Sequence, residues 1–321
     1  MSDSVCVSLS TSWLSQRHSD GFAMLEEVAQ LGFEYVELGH GIGISLVPGI
    51  LDALDRGIIK VSSTHNFCPL PPGVAVPSPN YYEPSAGLES GRQQWLRHTL
   101  NSIAFARRVG VRRMVAHMGS MRFFFGQPDK KLSQLARGKT KEQLAQDKEF
   151  LKERARVMKK LRKQSPKYYK RLREGLEKIA EAATAAELRV GMENRDGVLE
   201  LPLEADWKEF LQSVETMPFA GTWFDIGHAY KKERLGLMSA QEVLDVTDRN
   251  RVGFHLHNVT ANGHDHQGML EEGIVDFSIL KGRIKPGDPV VLEFSSRVST
   301  DDVKRSLEFA KKLVSESLST N

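Results

Sequence analysis

The sequence has little cysteine and no long apolar run. Only two of its 321 residues are cysteine, Cys6 and Cys68, and they form no Cys-x-x-Cys pair. This usage excludes a disulfide-rich scaffold and suits a reducing compartment. No apolar run reaches the roughly 18 residues that a membrane span needs. The first residues lack a basic region followed by an apolar stretch, so we expect no secretory signal and a cytoplasmic location.

Basic residues are fewer than acidic residues over most of the chain, because many of the basic residues are concentrated in one segment. Residues 130–173 contain 17 of the 44 Lys and Arg residues but only 4 of the 41 Asp and Glu residues. The rest of the chain therefore has 27 basic and 37 acidic residues. An acidic remainder argues against a protein that grips nucleic acid over a broad face.

Short apolar runs alternate with longer amphipathic stretches, as is typical of βα units around a parallel sheet. The runs predict strands near residues 5–10, 34–38, 59–64, 112–117, 188–193, 220–225, 251–256 and 289–294. The amphipathic stretches predict helices near residues 20–31, 46–56, 91–109, 166–187, 205–214, 238–248, 276–282 and 300–316. Eight such units predict an α/β fold, a closed (β/α)8 TIM barrel, with residues 1–321 as a single domain.

Two segments interrupt this alternation. Residues 67–90 are rich in Pro, Gly and Tyr and too long for an ordinary connection, so we expect a lid or substrate wall over the mouth. Residues 127–164 form a basic insertion after strand 4, with apolar residues at helical spacing. We expect an amphipathic helix packed on the barrel rim or on a second subunit of a homo-oligomer; a surface for phosphate or nucleic acid is the alternative. Ser165-Pro166 predicts the start of the next helix.

Six apolar runs end in a side chain that can bind a metal ion. These side chains are His65, His117, Glu193, Asp225, His255 and Glu293. The C-terminal ends of parallel strands in a barrel meet at one mouth, so the side chains can converge there. The last four follow four successive strands. Together they predict a site for Mn²⁺, Mg²⁺, Co²⁺ or Zn²⁺, which accept carboxylate oxygen and imidazole nitrogen in one shell.

Other polar residues lie close to the same strand ends. His65 and His117 could hold a second ion, but we favour a role in hydrogen-bonding substrate hydroxyls. His228, three residues after Asp225, is a candidate second-site ligand or substrate-orienting residue. His257 could reach the substrate or lie exposed on the rim. The candidate substrate-binding residues are Glu37, His40, Arg195 and Arg297.

The motifs around these residues resemble those of the xylose isomerase-like TIM barrel superfamily. The motifs are Met192-Glu193-Asn194-Arg195, Phe224-Asp225-Ile226-Gly227-His228-Ala229, His255-Leu256-His257-Asn258, Leu292-Glu293-Phe294 and, after strand 7, Gly263-His264-Asp265-His266 with Glu272-Gly273-Ile274-Val275-Asp276-Phe277. That superfamily contains sugar and sugar phosphate isomerases and epimerases, inosose dehydratase-like enzymes and family 2 apurinic endonucleases. The resemblance covers nearly the whole chain apart from the insertion.

The resemblance implies roles for particular residues. In the ketose epimerases, glutamates matching Glu193 and Glu293 bind the metal and also move protons on opposite faces of the substrate. Residues matching Asp225 and His255 complete the metal shell. In the endonucleases, residues matching His65, His117, His228 and an Asp-x-His pair hold further zinc ions. This chain has His264-Asp265-His266 at that pair, which makes His264 and His266 candidate ligands of a second metal or of substrate. The departure from the pair counts against a full three-metal site.

We therefore predict a divalent-metal-dependent isomerase or epimerase of a small sugar or sugar derivative, acting by proton transfer through a metal-bound enediolate. Glu193 and Glu293 are the predicted proton-transfer pair. Dehydratase or lyase chemistry through the same enediolate is a near variant. A zinc phosphodiesterase like the family 2 apurinic endonucleases is the main alternative, and a non-catalytic barrel that binds a partner through its basic helix is another. Metal content and nicking of abasic DNA would distinguish these alternatives.

Overall fold

The computed structural model describes residues 6–123 and 126–319 of the chain. Its sheet is a closed barrel in which each strand pairs in parallel with the next and the last pairs with the first. The strands are β1 (Cys6–Ser10), β2 (Tyr35–Leu38), β3 (Lys60–His65), β4 (Arg113–Ala116), β5 (Arg189–Glu193), β6 (Ala220–Asp225), β7 (Arg251–Leu256) and β8 (Pro289–Leu292). The predicted (β/α)8 barrel is confirmed.

Helices cover the outside of the barrel. They are α1 (Gly21–Gln30), α2 (Val47–Asp55), α3 (Glu89–Arg108), α4 (Lys130–Ala136), α5 (Lys141–Gln146), α6 (Lys148–Ala185), α7 (Trp207–Ser213), α8 (Ile226–Arg234), α9 (Ala240–Thr247) and α10 (Thr300–Ser319). Two short elements differ from the prediction. The helix expected near residues 276–282 is a single 3₁₀ turn, Phe277–Leu280, and α8 was not predicted as a separate helix. Both are short, so they offer little periodicity to detect.

The expected helix start at Ser165-Pro166 is wrong, because α6 runs without a break from Lys148 to Ala185. Proline removes the amide that would bond to the carbonyl four residues earlier, which here belongs to Arg162. The hydroxyl of Ser165 donates a hydrogen bond to that carbonyl at 3.4 Å. The proline is therefore tolerated inside the helix. The basic insertion consists of α4, α5 and the first half of this helix, as amphipathic elements packed on the barrel.

Two layers of core hold the fold together. Outward-facing strand residues such as Leu9, Val36 and Phe254 are fully buried against the helices. The interior of the barrel holds a separate apolar cluster that includes Val115, Trp223 and Val291. None of the helices within the described residues is both long enough and apolar enough to cross a membrane. The polar strand ends therefore stand between an apolar interior and the open end of the barrel.

Candidate metal centre

An apolar floor lies one pleat below the predicted ligands. Side chains two residues apart in a strand share a face, so Trp223 lies beneath Asp225 on β6. A Cβ atom at Gly253, on β7, would lie 2.5 Å from the indole of Trp223, and one at Gly191, on β5, would lie 3.1 Å from it. Both glycines thus make room for the indole, which fills the barrel below the mouth.

Four predicted ligands meet above this floor. Donor atoms of Glu193, Asp225, His255 and Glu293 all lie within 4.8 Å of one another, and all four residues are buried. Nδ1 of His255 lies 2.8 Å from Oε1 of Glu193 and 3.4 Å from Oε2 of Glu293. The structure therefore brings together the four side chains that the sequence predicts to share an ion. We call them the central group.

The charges within the central group are set by burial and by neighbours. Burial raises the pKa of Glu193 and of Asp225, but nearby positive charge outweighs it and holds both values below their usual range. For Glu193 the main charge is the guanidinium of Arg195, and for Asp225 it is His228. Burial raises the pKa of Glu293 to about 7, with His255 opposing the rise. Two members of the group are therefore firmly anionic.

Glu37 lies beneath His255 and away from the wall of the mouth. Its two carboxylate oxygens each lie 3.2 Å from Nε2 of His255. They also accept hydrogen bonds from the hydroxyls of Ser10 at 3.0 Å and Ser63 at 2.8 Å. Glu37 is fully buried, as Glu193 and His255 are, and its predicted place at the substrate pocket stays a prediction. A carboxylate behind a ligand imidazole fixes the ring and makes it more basic.

A second group joins the central group through Glu193. Donor atoms of His65, His117 and Glu193 lie within 4.8 Å of one another. Nε2 of His117 lies 2.8 Å from Oε2 of Glu193, while its Nδ1 lies 2.9 Å from Oδ1 of Asn80. Burial lowers the pKa of His65 to about 3 and that of His117 to about 4. Both imidazoles are therefore neutral, the form that binds metal ions.

A third group lies on the other side of Asp225. It consists of His228, His257 and His266, whose donor atoms also lie within 4.8 Å of one another. Nε2 of His257 is 3.1 Å from Oδ1 of Asp225. His257 is fully buried, so the alternative of an exposed rim position is wrong. Its place depends on Gly227, where a Cβ atom would lie 2.0 Å from the His257 ring.

The third group differs from what the motif comparison predicts. His264, which was expected to take part, lies on the wall of the mouth, and His257 occupies the place beside His228 and His266. The backbone of His266 has a φ of +53°, a value that residues with a side chain rarely adopt. Such backbone strain is concentrated at functional sites. The departure at His264-Asp265-His266 therefore leaves a three-histidine group intact.

Arg195 is committed to carboxylates. Its Nη1 lies 2.8 Å from Oε2 of Glu193, and its Nε lies 3.3 Å from Oε1 of Glu200. Its Nη2 lies 3.7 Å from Asp196. This guanidinium neutralises and orients a member of the central group. Its side chain is 14% exposed, more than that of Glu193, and its predicted contact with substrate stays a prediction.

The central group borders a cavity of about 670 Å³ through Glu293. Three residues predicted from the sequence, His40, His264 and Arg297, lie on its wall together with Glu293 and His266. Nδ1 of His40 is buried and has no hydrogen-bond partner among the described residues. Burial lowers the pKa of this imidazole, which is therefore neutral. The volume is in the range of small-molecule sites.

The segment predicted as a lid reaches the site through one side chain. Oδ1 of Asn80 accepts a hydrogen bond from Nδ1 of His117, and the amide nitrogen of Asn80 donates one to Oε1 of Glu200 at 3.0 Å. Asn80 thus links residues 67–90 to the loops after β4 and β5.

Another residue that was not predicted from the sequence is Asn194. Its side chain exchanges two hydrogen bonds of 2.8 Å with the backbone of Asp225. Its position directly after Glu193 was the available signal.

The donor set of the central group fits a divalent ion. It consists of three carboxylates and one imidazole, all buried and directed at a common centre. Hard and borderline ions bind such mixed oxygen and nitrogen sets. Buried carboxylates this close together repel one another, so a cation at their centre would relieve the repulsion. The second and third groups offer mainly imidazole nitrogen, which suits zinc.

Residues 25–313 match the sequence profile of one protein family, described as xylose isomerase-like TIM barrel. This match covers most of the chain. The chain belongs to this family. The resemblance stated from the motifs is therefore confirmed. A comparison with curated proteins finds no match.

Solved structures of the same fold include several sugar epimerases. A D-tagatose 3-epimerase-like protein is 15% identical over 98% of both chains, with a TM-score of 0.67. D-Psicose 3-epimerase from Clostridium cellulolyticum H10 is 11% identical over 97% of this chain and 99% of that one, with a TM-score of 0.65. 3-Keto-D-glucoside 4-epimerase from E. coli is 12% identical over 96% of this chain and all of the other, with a TM-score of 0.65. At such identities the likeness concerns the fold.

Proposed function

We propose that this chain is a divalent-metal-dependent isomerase or epimerase of a sugar or sugar derivative. The observation that carries the proposal is the central group, in which two glutamates share one centre with Asp225 and His255. One of these glutamates, Glu293, also lines the mouth cavity. An ion held there would supply Lewis-acid polarisation of a carbonyl and its neighbouring hydroxyl. The names of the similar solved structures, which include ketose 3-epimerases, support the same reaction class.

Within this proposal the chain's own residues move the proton. Removal of a proton from the carbon beside a carbonyl needs a base, and its return on the other face or the neighbouring carbon needs an acid. Glu193 ends β5 and Glu293 directly follows β8, and both carboxylates lie near Nδ1 of His255. They come from separate strands of the barrel, so we assign one of the two steps to each. Arg195 holds Glu193 in place, while His40 and Arg297 on the cavity wall can bind substrate oxygens.

A variant of this proposal ends in elimination. The anion formed by loss of the proton can be reprotonated, or it can expel a hydroxyl group from the next carbon. An acid beside the departing hydroxyl would favour the second route. His264 on the wall of the mouth is a candidate for that purpose. Dehydratase or lyase activity is therefore tested with the same substrates.

Zinc-dependent phosphodiester hydrolysis is a second candidate, because three groups of ligands adjoin one another. The second group shares Glu193 with the central group, and His257 of the third group contacts Asp225. Several ions side by side suit displacement at phosphorus. The acidic character of the chain outside its basic segment opposes this candidate.

The deciding experiment measures metal content and proton exchange on the same preparation. We expect about one tightly bound divalent ion per chain and incorporation of solvent deuterium into one class of ketose, inosose or keto-glycoside. Chelation should stop the exchange, and restored metal should return it. Nicking of abasic DNA with three bound ions and no exchange would replace this proposal with the phosphodiesterase. Tight metal binding with neither activity would favour a non-catalytic barrel.

A further inference from the structure

We propose that a cleft beside the barrel mouth binds a small phosphate-bearing ligand. The cleft has a volume of about 680 Å³ and lies between α6, the loop after β4 and the segment after β3. It is lined by Gly87, Leu88, Arg122, Phe123, Lys160, Gln164, Lys167, Tyr168 and Arg171. No lining residue is shared with the mouth cavity. Below we call it the basic cleft.

The positive charge of the basic cleft follows from the helical repeat of α6. Lys160, Gln164, Lys167 and Arg171 follow one another at intervals of four, three and four residues, which places them on one face of the helix. Arg122 adds a fourth cation from the facing loop. None of the residues that line the cleft is acidic. An anion in the cleft would thus meet four cations and no competing carboxylate on the wall.

Each of the two arginines of the cleft is held by a hydrogen bond to the protein and keeps further N–H donors. Nε of Arg122 donates a hydrogen bond to the buried Glu83 at 3.0 Å. Nη1 of Arg171 donates one to the carbonyl of Ser85 at 3.1 Å. A guanidinium has five N–H donors, so each arginine keeps donors for a ligand. The hydroxyl of Tyr168 donates to the carbonyl of Arg122 at 2.6 Å, which ties the loop to α6.

The two lysines have no carboxylate partner within residues 6–123 and 126–319. Nζ of Lys160 lies 4.7 Å from the ring centre of Phe123, and Nζ of Lys167 lies 3.2 Å from the amide oxygen of Gln164. Elsewhere on this helix, Arg156 and Arg173 are paired with glutamates. The two lysines of the cleft thus differ from these paired arginines. A phosphate monoester carries nearly two negative charges and offers three acceptor oxygens, which matches this set.

The shape of the cleft favours a small molecule over a nucleic acid strand. Its volume is within the range of small-ligand pockets. A strand needs a long basic track with aromatic rings free to stack on bases. Here Phe123 faces Lys160, and the ring of Tyr168 is covered by Lys167 and Arg171 at 5.2 and 5.3 Å.

Residues that support the wall of the basic cleft lie beside residues that contact the second group at the mouth. Glu83, which holds Arg122, accepts a hydrogen bond from the hydroxyl of Ser120 at 2.8 Å. Asn80, three residues before Glu83, contacts His117. The phosphate group is therefore recognised next to the loops that carry the second group. This inference does not depend on the proposed reaction, because it concerns binding at a different set of residues.

The test is calorimetric titration of the purified full chain with glucose 6-phosphate and with inorganic phosphate, and with glucose as the uncharged control. We expect one saturable site for glucose 6-phosphate and none for glucose. The double substitution Lys160→Gln with Lys167→Gln should weaken binding at least about tenfold, since charge-assisted bonds are among the strong ones. The matched control is Lys159→Gln with Lys170→Gln. These exposed lysines lie about a quarter turn away on the same helix and should change affinity less than about twofold.

Three outcomes would overturn the proposal. The first is the absence of saturable binding by either phosphate compound. The second is unchanged binding in the Lys160/Lys167 variant, which would assign the ligand to another site such as the mouth. The third is equal weakening by both double variants, together with tighter binding of a short single-stranded oligonucleotide. That result would indicate a diffuse polyanion surface along α6. Circular dichroism of both variants verifies that they are folded.

Discussion

The barrel mouth and the basic cleft are both lined by charge, but they are built in opposite ways. In the mouth, short carboxylates and imidazoles stand at strand ends, are buried, and hold one another by hydrogen bonds. In the cleft, long cationic side chains project from a helix and a loop, and Lys160 and Lys167 form no ion pair with any residue that the structure describes. The mouth is therefore pre-organised for a point charge, whereas the cleft can adapt to a larger anion.

This difference shows which charged side chains matter for the stability of the protein and which matter mainly for a ligand. Buried ionised groups are costly to leave alone, so each charged group of the mouth has partners and the loss of one affects its neighbours. Exposed cations are solvated, and their loss affects the ligand more than the protein. Substitutions in the two regions should accordingly differ in size and in the property that they change.

The largest effect is expected for Glu193→Gln in the mouth. The amide keeps the shape of the side chain but cannot act as a base and is a poorer metal ligand, so proton exchange should fall by about a thousandfold or more. Deuterium incorporation followed by NMR gives the rate, and metal analysis shows how much of the loss is a loss of the ion. The exposed Glu209→Gln is the control and should keep the wild-type rate. A Glu193→Gln rate within tenfold of wild type would contradict the assignment.

A large loss of stability is expected when a buried ion pair outside both cavities is broken. Lys232 of α8 is 2% exposed and pairs with Glu204, which precedes α7. Lys232→Met leaves the carboxylate of Glu204 buried without its cation, which should lower the free energy of unfolding by about 3–5 kcal/mol. Urea denaturation measures the loss. Adding Glu204→Gln removes the stranded charge and should restore most of the stability; a double variant as unstable as the single one would refute this reasoning.

A smaller effect is expected for Glu37→Gln below the mouth. The substitution keeps the volume but removes the negative charge behind His255, so this ligand loses the group that orients it and makes it basic. Affinity for the metal should fall by about 10- to 100-fold, as for other groups behind a ligand. Competition with a chromogenic chelator measures the affinity. Ser62→Ala is the control, because Ser62 bonds to Ser8 in the same interior. Equal affinities in the two variants would show that Glu37 is only a packing residue.

The sequence predicts the barrel and the central group for one physical reason. A parallel barrel brings all its strand ends to one mouth, so the order Glu193, Asp225, His255, Glu293 fixes proximity without knowledge of any side-chain conformation. The registers of β6 with β7 agree with this, since Asp225 pairs with His255. Position at a strand end therefore predicts which side chains lie close together in the barrel, and the long insertion does not affect this.

Other features depended on contacts between distant segments. The burial of His257 requires the space left by Gly227, and the position of Glu37 under His255 requires the closed barrel that joins β2 to β7 across its interior. Local patterns do not record such distant pairings. The three carboxylate partners of Arg195, by contrast, lie within five residues of it, so these ion pairs were open to prediction from the sequence.

The smallest effect is expected for Lys167→Gln in the basic cleft. The side chain is exposed and has no carboxylate partner among the described residues, so the free energy of unfolding should change by less than about 0.5 kcal/mol. Neutralising it also relieves repulsion with the like charge of Arg171, four residues on, so a slight gain is expected. Glucose 6-phosphate should then stabilise the wild type and stabilise the variant less, because a ligand stabilises a protein according to its affinity for the folded state. Urea denaturation with and without the sugar phosphate tests both points. A loss of more than about 1 kcal/mol without ligand would mean that the cleft resembles the mouth, with charges that hold the fold together.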